Sequence, residues 1–388
     1  MKKKFTSYIL IAILGSVVNA QYSFSQTSIS LSNGAALSYQ SGDINLSDYS
    51  GEMSDVIYYT PEGGILTAET ITIQTDKHTQ DKNFETNKTI YKLVEVNKGK
   101  IESVQEPYNL SADLIELHDF PHSLIAQLFE IAGDSYIDKN FFDNLDWDIR
   151  TASPTLELIA VDFSRNGIFA ETETIKGSIN PIFNSLVNSP LLVNFELIIE
   201  NSDIIPVGDS KLATRLASNL TDLELQKLTL SLLAKSHFLQ IDNIQRMELR
   251  LTASQLFSIA ITLYIEYPIL ENPTELEESE LAIKLLQQIK FHKMKIELED
   301  FGLNSWLPDA RVNEYQSSAK KLQNLVLATM PANGQRLTTP IMQFVYNGGK
   351  LTLTSHPSTP KPVALIASML LFPDLLVEEF AISSEHHP

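Results

Sequence analysis

Apolar residues recur at every second position in run after run of this chain, and this spacing constrains its fold more than any other feature. The most regular run alternates Met294, Ile296 and Leu298 with charged residues at 295, 297 and 299. Successive side chains of an extended strand point to opposite faces, so such a run buries one face and leaves the other in water. The alternation therefore predicts antiparallel sheet. Further apolar positions of this kind are Leu156, Ile159, Phe195, Leu197, Ile199, Leu228, Leu230, Leu232, Met247, Leu249 and Leu251.

Residues 21–110 form a β-rich region in which short strands alternate with polar turns. The segment ISLSNGAALSY places apolar residues on both sides of Asn33-Gly34, a dipeptide that favours a tight hairpin turn. The segments GGILTAETITIQ and TIYKLVEV also alternate as strands do. We therefore expect short strands between polar turns in this part of the chain, with a hairpin at Asn33-Gly34.

Residues 111–388 add helical spacing to the strands. Pro121 opens an apolar helical segment, HSLIAQLFEIA, and Thr274 with Glu277 forms a capping box that begins a second helix. A third helix is expected from residue 309 to 330, amphipathic and packed on the core. Its apolar stripe consists of Val312, Tyr315, Ala319, Leu322 and Val326. The expected fold class is α+β, predominantly antiparallel β-sheet with a few amphipathic helices packed on it.

The tail repeats the order of helix and strand. TTPIMQFVYNGG predicts a short helix that ends at Asn347-Gly348, and KLTLTS predicts a strand. The segment KPVALIASMLLFPDLLVEEF is apolar almost all round, and its longest uncharged part, Pro362 to Pro373, is too short to cross a bilayer. It predicts a buried helix broken by Pro373, with a flap over an apolar cavity as the alternative.

Residues 1–20 have the pattern of a secretory signal peptide. Three lysines precede an apolar stretch from Tyr8 to Val18, and Val18-Asn19-Ala20 offers small residues for cleavage after Ala20. The apolar stretch is shorter than a membrane span requires. We expect an exported, periplasmic protein that has no transmembrane span after cleavage. An uncleaved N-terminal anchor is the alternative.

Composition narrows the classes of partner. The formal net charge is −19, which disfavours nucleic acid and anionic membrane surfaces as partners. The chain contains no cysteine, so it would be exported without disulfides and its stability depends on burial. A bacterial periplasm suits these features.

The Gly-Asp-Ser tripeptide in IAGDSYID, residues 131–138, raises the hypothesis that Ser135 is an esterase nucleophile. Such a serine needs a histidine base, an acid that orients it and donors for the oxyanion. The Asp-x-x-His motif at Asp119 to His122 lies upstream of Ser135, whereas esterases of this type place it near the C-terminus. Gly133 as a helix C-cap explains the segment without catalysis. Gly208-Asp209-Ser210 repeats the tripeptide and is expected as a turn before the helical KLATRLAS.

Other chemistry has little support in the sequence. His118, Asp119 and His122 offer zinc ligands, but Pro121 prevents the histidines from sharing a regular helix face, and a solvated loop is the preferred interpretation. His386-His387 is expected at a frayed terminus. No P-loop, dinucleotide fingerprint or HExxH motif occurs. We therefore assign no catalytic, cofactor-binding or metal-binding residue.

The last hundred residues resemble a known group of proteins. The segments that carry the resemblance are LEDFGL, DARVNEYQSSAKKLQNLV and FVYNGGKLTLTSHPSTPKPVAL. They resemble exported proteobacterial proteins of unknown function and, more distantly, the YdgA-like and AsmA-like envelope proteins. The resemblance implies long amphipathic antiparallel strands and transfers no functional residue.

The function expected from the sequence is non-catalytic binding or scaffolding in the cell envelope. A lipid-like ligand or an envelope protein is the expected partner. The alternative is a serine esterase that uses Ser135.

Overall fold

The structure is a computed structural model that describes twelve ranges of the chain. They are residues 24–30, 36–45, 50–59, 64–75, 90–102, 108–121, 153–181, 193–239, 243–268, 287–302, 309–369 and 371–388. Strands make up 61% and helices 24% of the described residues, and the strand pairs are antiparallel. The expected α+β class with predominant antiparallel sheet is confirmed.

The chain divides into two compact units. The first contains Met1–Pro181 and Ile199–Thr214, and the second contains Ile182–Ile198 and Arg215–Pro388. Strand β9 (Val193–Pro206) contributes residues to both units. Residue 110, after which the sequence analysis places a boundary, lies in strand β6 (Tyr108–Pro121).

In the first unit, eight strands form a meander in which each pairs with the next. The expected hairpin around Asn33-Gly34 is confirmed by the pairing of Ser30 with Ala36. The strands are β1 (Phe24–Ser30), β2 (Ala36–Asn45), β3 (Ser50–Tyr59), β4 (Ile65–Thr75), β5 (Ile90–Glu102), β6 (Tyr108–Pro121), β7 (Thr155–Arg165) and β8 (Ile168–Pro181).

The core of the first unit includes twelve buried residues that alternate along the strands. Met53 and Val56 are both buried although an interval of three residues would place them on opposite faces of a regular strand. Asp55 between them has φ +50° and is skipped, together with Glu69, in a pairing with β4 whose register is the same on both sides. A local change of backbone direction at Asp55 therefore returns Val56 to the buried face. The cluster contains Leu37, Tyr39, Met53, Val56, Tyr58, Ala68, Ile71, Ile73, Tyr91, Val94, Leu117 and Phe120.

In the second unit, the strand order is β10, β11, β12, β13, β14 and β16, and β15 pairs with β13. The short strand β15 directly precedes the C-terminal helices. The bounds are β10 (Leu228–Leu239), β11 (Ile244–Ala253), β12 (Phe257–Glu266), β13 (Lys290–Asp300), β14 (Gly349–Ser355), β15 (Lys361–Pro362) and β16 (Ile382–His387).

Five helices have bounds in the described ranges. Within those ranges, none combines the length and the apolarity that crossing a bilayer requires. They are α1 (Lys211–Asp222), α2 (Asp309–Thr329), α3 (Gly334–Asn347), α4 (Val363–Met369) and α5 (Pro373–Glu379).

Helix α2 confirms the expected helix from 309 to 330 but not its role as a core helix. Tyr315 is 43% exposed and Leu322 is 58% exposed, whereas the other three residues of the stripe are half-buried. The stripe that helical spacing brings together is therefore only partly covered. Spacing shows which side chains share a face, and burial of that face depends on a partner element elsewhere in the fold.

The tail agrees with the expected order, with two corrections. Helix α3 ends at Asn347 and strand β14 follows it, as predicted. The helix expected to break at Pro373 does so, into the short helices α4 and α5, but it is not buried throughout, because Leu371 and Phe372 between them are exposed. His386 and His387 lie in β16 and are not frayed, because Lys350 and Leu351 of β14 pair with them.

Several expectations lie outside the described residues. They concern the signal peptide, the helix that follows Pro121, the capping box at Thr274 and the Gly-Asp-Ser motif at Ser135.

Candidate apolar ligand face

The alternating strands of the second unit align their apolar residues into rows. Strand register places Leu232 beside Leu251, Leu251 beside Ile259, and Ile259 beside Leu298. Paired residues of neighbouring strands project from the same side of a sheet, so the rows form one surface. We call this surface the aliphatic face. Its three rows are Leu232, Leu251, Ile259 and Leu298; Ala234, Leu249, Ile261 and Ile296; and Ser236, Met247, Leu263 and Met294.

The aliphatic face is open to solvent at its centre. Every residue of β12 is only half-buried, and Leu249 on the neighbouring strand is 43% exposed. The two ends of the face are buried, with Ala253 at one end of the strands and Phe238 at the other. An exposed aliphatic surface of this kind has the chemistry of an apolar ligand site.

Helix α3 closes the side of this sheet that carries β14 and β16. Leu337 and Val345 of the helix are buried, and so is Leu351, which continues the first row beyond Leu298. The hydroxyl of Ser384 on β16 donates to the carbonyl oxygen of Leu337 at 2.7 Å. Aliphatic residues of the first row are therefore buried at β14 and half-buried on β12 and β13.

The opposite face of the same strands is polar and has ion pairs. Glu297 lies 2.6 Å from the Lys350 Nζ and 3.0 Å from the Lys295 Nζ. The hydrogen bond from Lys350, assisted by the one from Lys295, lowers the pKa of the Glu297 carboxyl against the opposing effect of burial. Glu248 is paired in the same way with Arg246 at 3.0 Å. The charges that alternate with the aliphatic residues in the sequence thus satisfy one another and leave the aliphatic face uncharged.

One charged cluster lies at the end of β12 and β13. The Glu266 carboxylate contacts the Lys290 Nζ and the His292 Nε2, each at 2.8 Å. Burial raises the pKa of Glu266, but the hydrogen bonds with Lys290 and His292 outweigh it and the net shift is downward. Glu266 is thus stabilised as a carboxylate that ties the two strands together.

The candidate zinc ligands are not gathered into a metal site in the described part of the chain. His118 lies in β6, so the expected solvated loop is wrong, and its Nε2 is 3.4 Å from Glu116. Asp119 pairs with Lys92 at 3.1 Å, whereas His122 falls outside the described residues. No group of three or more ligand-type side chains occurs in the described ranges.

The second Gly-Asp-Ser tripeptide forms a helix cap. The Ser210 hydroxyl oxygen accepts a hydrogen bond from the Ala213 N–H at 3.0 Å, and the hydroxyl donates to the carbonyl oxygen of Asn166. Helix α1 begins directly afterwards, which confirms the expected turn before KLATRLAS. At Ser210 the Gly-Asp-Ser tripeptide therefore has a structural role. The first copy of the tripeptide, with Ser135, lies outside the described residues.

Strand β12, the central strand of the aliphatic face, is not among the strands predicted from the sequence. Phe257, Ile259, Ile261, Leu263 and Ile265 alternate as regularly as the runs that it identified. Tyr264 and small residues occupy the alternate positions of β12, so its two faces differ less in polarity than those of the other strands.

Comparisons with known proteins reach the second unit only. The family whose profile matches the chain is described as "Uncharacterized protein", and the match covers residues 239–386. No curated protein matches the sequence. The matched range includes β11 to β14 and therefore most of the aliphatic face.

Proposed function

We propose that this chain is a non-catalytic envelope protein that binds an acyl chain or a similar apolar ligand on the aliphatic face. The observation that carries the proposal is the half-buried aliphatic surface centred on Leu249 and β12. Large contiguous apolar surfaces exposed on a folded protein mark binding sites.

The chemistry of the face favours an uncharged hydrocarbon. Its rows contain leucine, isoleucine, methionine, alanine and one serine, and the charged side chains of these strands project from the other side. Burial of an acyl chain contributes about 0.8 kcal/mol per methylene, so an acyl chain that covers only part of the face would still bind with measurable affinity.

The proposed location is the periplasm, supported by the signal-peptide pattern that ends at Ala20. We expect N-terminal sequencing of the mature protein from a soluble envelope fraction to begin at Gln21. Recovery of a membrane-bound chain that retains Met1 would contradict export with cleavage.

As part of the same proposal, the chain is related to the YdgA-like and AsmA-like envelope proteins. It is supported by the C-terminal segments quoted above and by the long amphipathic strands around them.

Uptake of a fluorescent fatty acyl probe tests the function. We expect the unmodified protein to bind the probe and Ile296→Ala to weaken uptake. Because Ile296 is only half-buried, this change should cost about 1 to 2 kcal/mol of stability, below the range of a fully buried isoleucine. Fluorescence titration and chemical denaturation measure the two effects.

Glu297→Ala is the matched control on the adjacent residue and the opposite face. It should leave uptake unchanged and cost little stability, because exposed and partly exposed ion pairs contribute about 0 to 1 kcal/mol. Absence of uptake by the unmodified protein would refute ligand binding and leave a scaffold as the function.

A further inference from the structure

The corner between α4 and α5 exposes large apolar side chains. Leu371 is 82% exposed and Phe372 is 63% exposed, and Leu375 on the first turn of α5 is also exposed. We call the side chains of Leu371, Phe372 and Leu375 the apolar tip. Side chains of this size are usually covered in a folded chain, and a group of them on the surface marks a contact with another body.

The apolar tip is held in place by the helices around it. The Asp374 carboxylate accepts hydrogen bonds from the Asn333 backbone N–H at 3.0 Å and from its side-chain amide at 3.2 Å. On the inner side of α5, Val377 and Phe380 are buried. The exposure of Leu371 and Phe372 therefore belongs to a fixed corner of the fold.

The tip is electrically neutral in a strongly acidic chain. Residues 362–373 contain no charged side chain, whereas the whole chain has a formal net charge of −19. The acidic groups that follow have partners on the protein, since Glu379 pairs with Lys361 at 2.6 Å and Asp374 with Asn333. A neutral apolar corner is complementary to an uncharged lipid surface, while the net charge opposes approach to an anionic one.

We propose that the apolar tip is a membrane-contact site that inserts Leu371 and Phe372 into the interface of a zwitterionic phospholipid bilayer. The site is separate in sequence and in chemistry from the aliphatic face, and it does not depend on ligand binding there. Interfacial contact by a few apolar side chains is reversible and does not require a spanning segment.

Co-sedimentation with phosphatidylcholine vesicles tests the site. We expect the unmodified protein to bind, and the double variant Leu371→Ser with Phe372→Ser to lose at least about tenfold in partitioning, since both inserted side chains are removed. Val207→Ser is the matched control, because Val207 is 62% exposed in the first unit. It should leave partitioning unchanged.

The double variant is expected to fold. Phe372 occupies the N-cap position of α5, where serine is a favoured residue, and neither removed side chain is buried. Thermal melting by circular dichroism checks this. As a second measurement, Phe372→Trp should give a blue-shifted emission on addition of vesicles, relative to the unmodified protein with its two tryptophans.

Three results would overturn the proposal. The first is absence of vesicle binding by the unmodified protein, and the second is binding that the double variant retains in full. The third is binding that strengthens when anionic lipid is added, because that would locate the contact on the lysines and arginines. Concentration-dependent dimers that the double variant abolishes, without vesicle binding, would assign the tip to a second copy of the chain.

Discussion

Replacing Gly167 with valine is expected to lower the free energy of unfolding by about 2 to 4 kcal/mol. Gly167 is the second residue of the two-residue turn between β7 and β8, and its φ is +74°. A Cβ atom there would lie 3.1 Å from the Gly208 Cα and 3.3 Å from the Ala213 Cβ. A β-branched residue would add backbone strain to this crowding.

The same turn anchors the segment that leads into α1, which increases the expected loss. The Gly167 carbonyl oxygen accepts hydrogen bonds from the N–H groups of Val207 at 2.8 Å and Gly208 at 3.1 Å. Ser210 completes the contact through its hydrogen bond to Asn166. Displacement of the turn would therefore break several hydrogen bonds together.

Gly177→Ala is the matched control in the same hairpin. The nearest atom to an added Cβ at Gly177 is the Leu156 Cβ at 3.9 Å, which is an ordinary contact. We expect its stability to change by less than about 1 kcal/mol. Urea denaturation of the two variants measures the difference, and equal midpoints would show that the turn is not fixed by its contact with Gly208.

The strands of this fold could be predicted from the sequence because their information is local. Period-2 alternation identified β9, β10, β11 and β13, and Asn33-Gly34 identified the first hairpin. Asn166-Gly167 carries the same local signal and turns β7 into β8. Each prediction needs only the chemistry of neighbouring residues.

The irregular positions within the strands could not be predicted in the same way. Asp55, Lys98 and Ala160 have positive φ within strands β3, β5 and β7, and none is glycine or asparagine. Each is skipped in the pairing with a neighbouring strand while the register stays the same on both sides, and the local sequence contains no signal for this. An interval of three between buried residues, as between Met53 and Val56, interrupts the alternation that sequence analysis follows.

The candidate site could be predicted in part. The apolar side of β13 was evident from Met294, Ile296 and Leu298, but the rows across four strands depend on register, which the sequence of one strand does not contain. Exposure was the second unknown. The stripe of α2 and the segment around Leu371 both predict burial by their composition, yet Tyr315 and Leu322 of the stripe and Leu371 itself are exposed.

The largest effect on ligand binding is expected from Leu249→Lys, which should weaken affinity for a fatty acyl probe about a hundredfold. Leu249 lies at the centre of the aliphatic face and is 43% exposed. Without ligand, a lysine there can extend its ammonium group into water, so stability should change by less than about 1 kcal/mol. A bound acyl chain would cover the position, and desolvation of an unpaired ammonium costs several kcal/mol.

Thr262→Lys separates this effect from the change in net charge. On the opposite face of the sheet, Thr262 is paired with Glu248 on one neighbouring strand and with Lys295 on the other, so the new ammonium group would lie between a carboxylate and an ammonium group and leave the aliphatic face untouched. Titration of both variants with the probe should show lost affinity for Leu249→Lys alone. A large loss of stability in Leu249→Lys would identify the face as a closed core, and equal affinities in the two variants would place the ligand elsewhere. Because the two substitutions add the same charge to paired strands, only their face of the sheet can account for a difference.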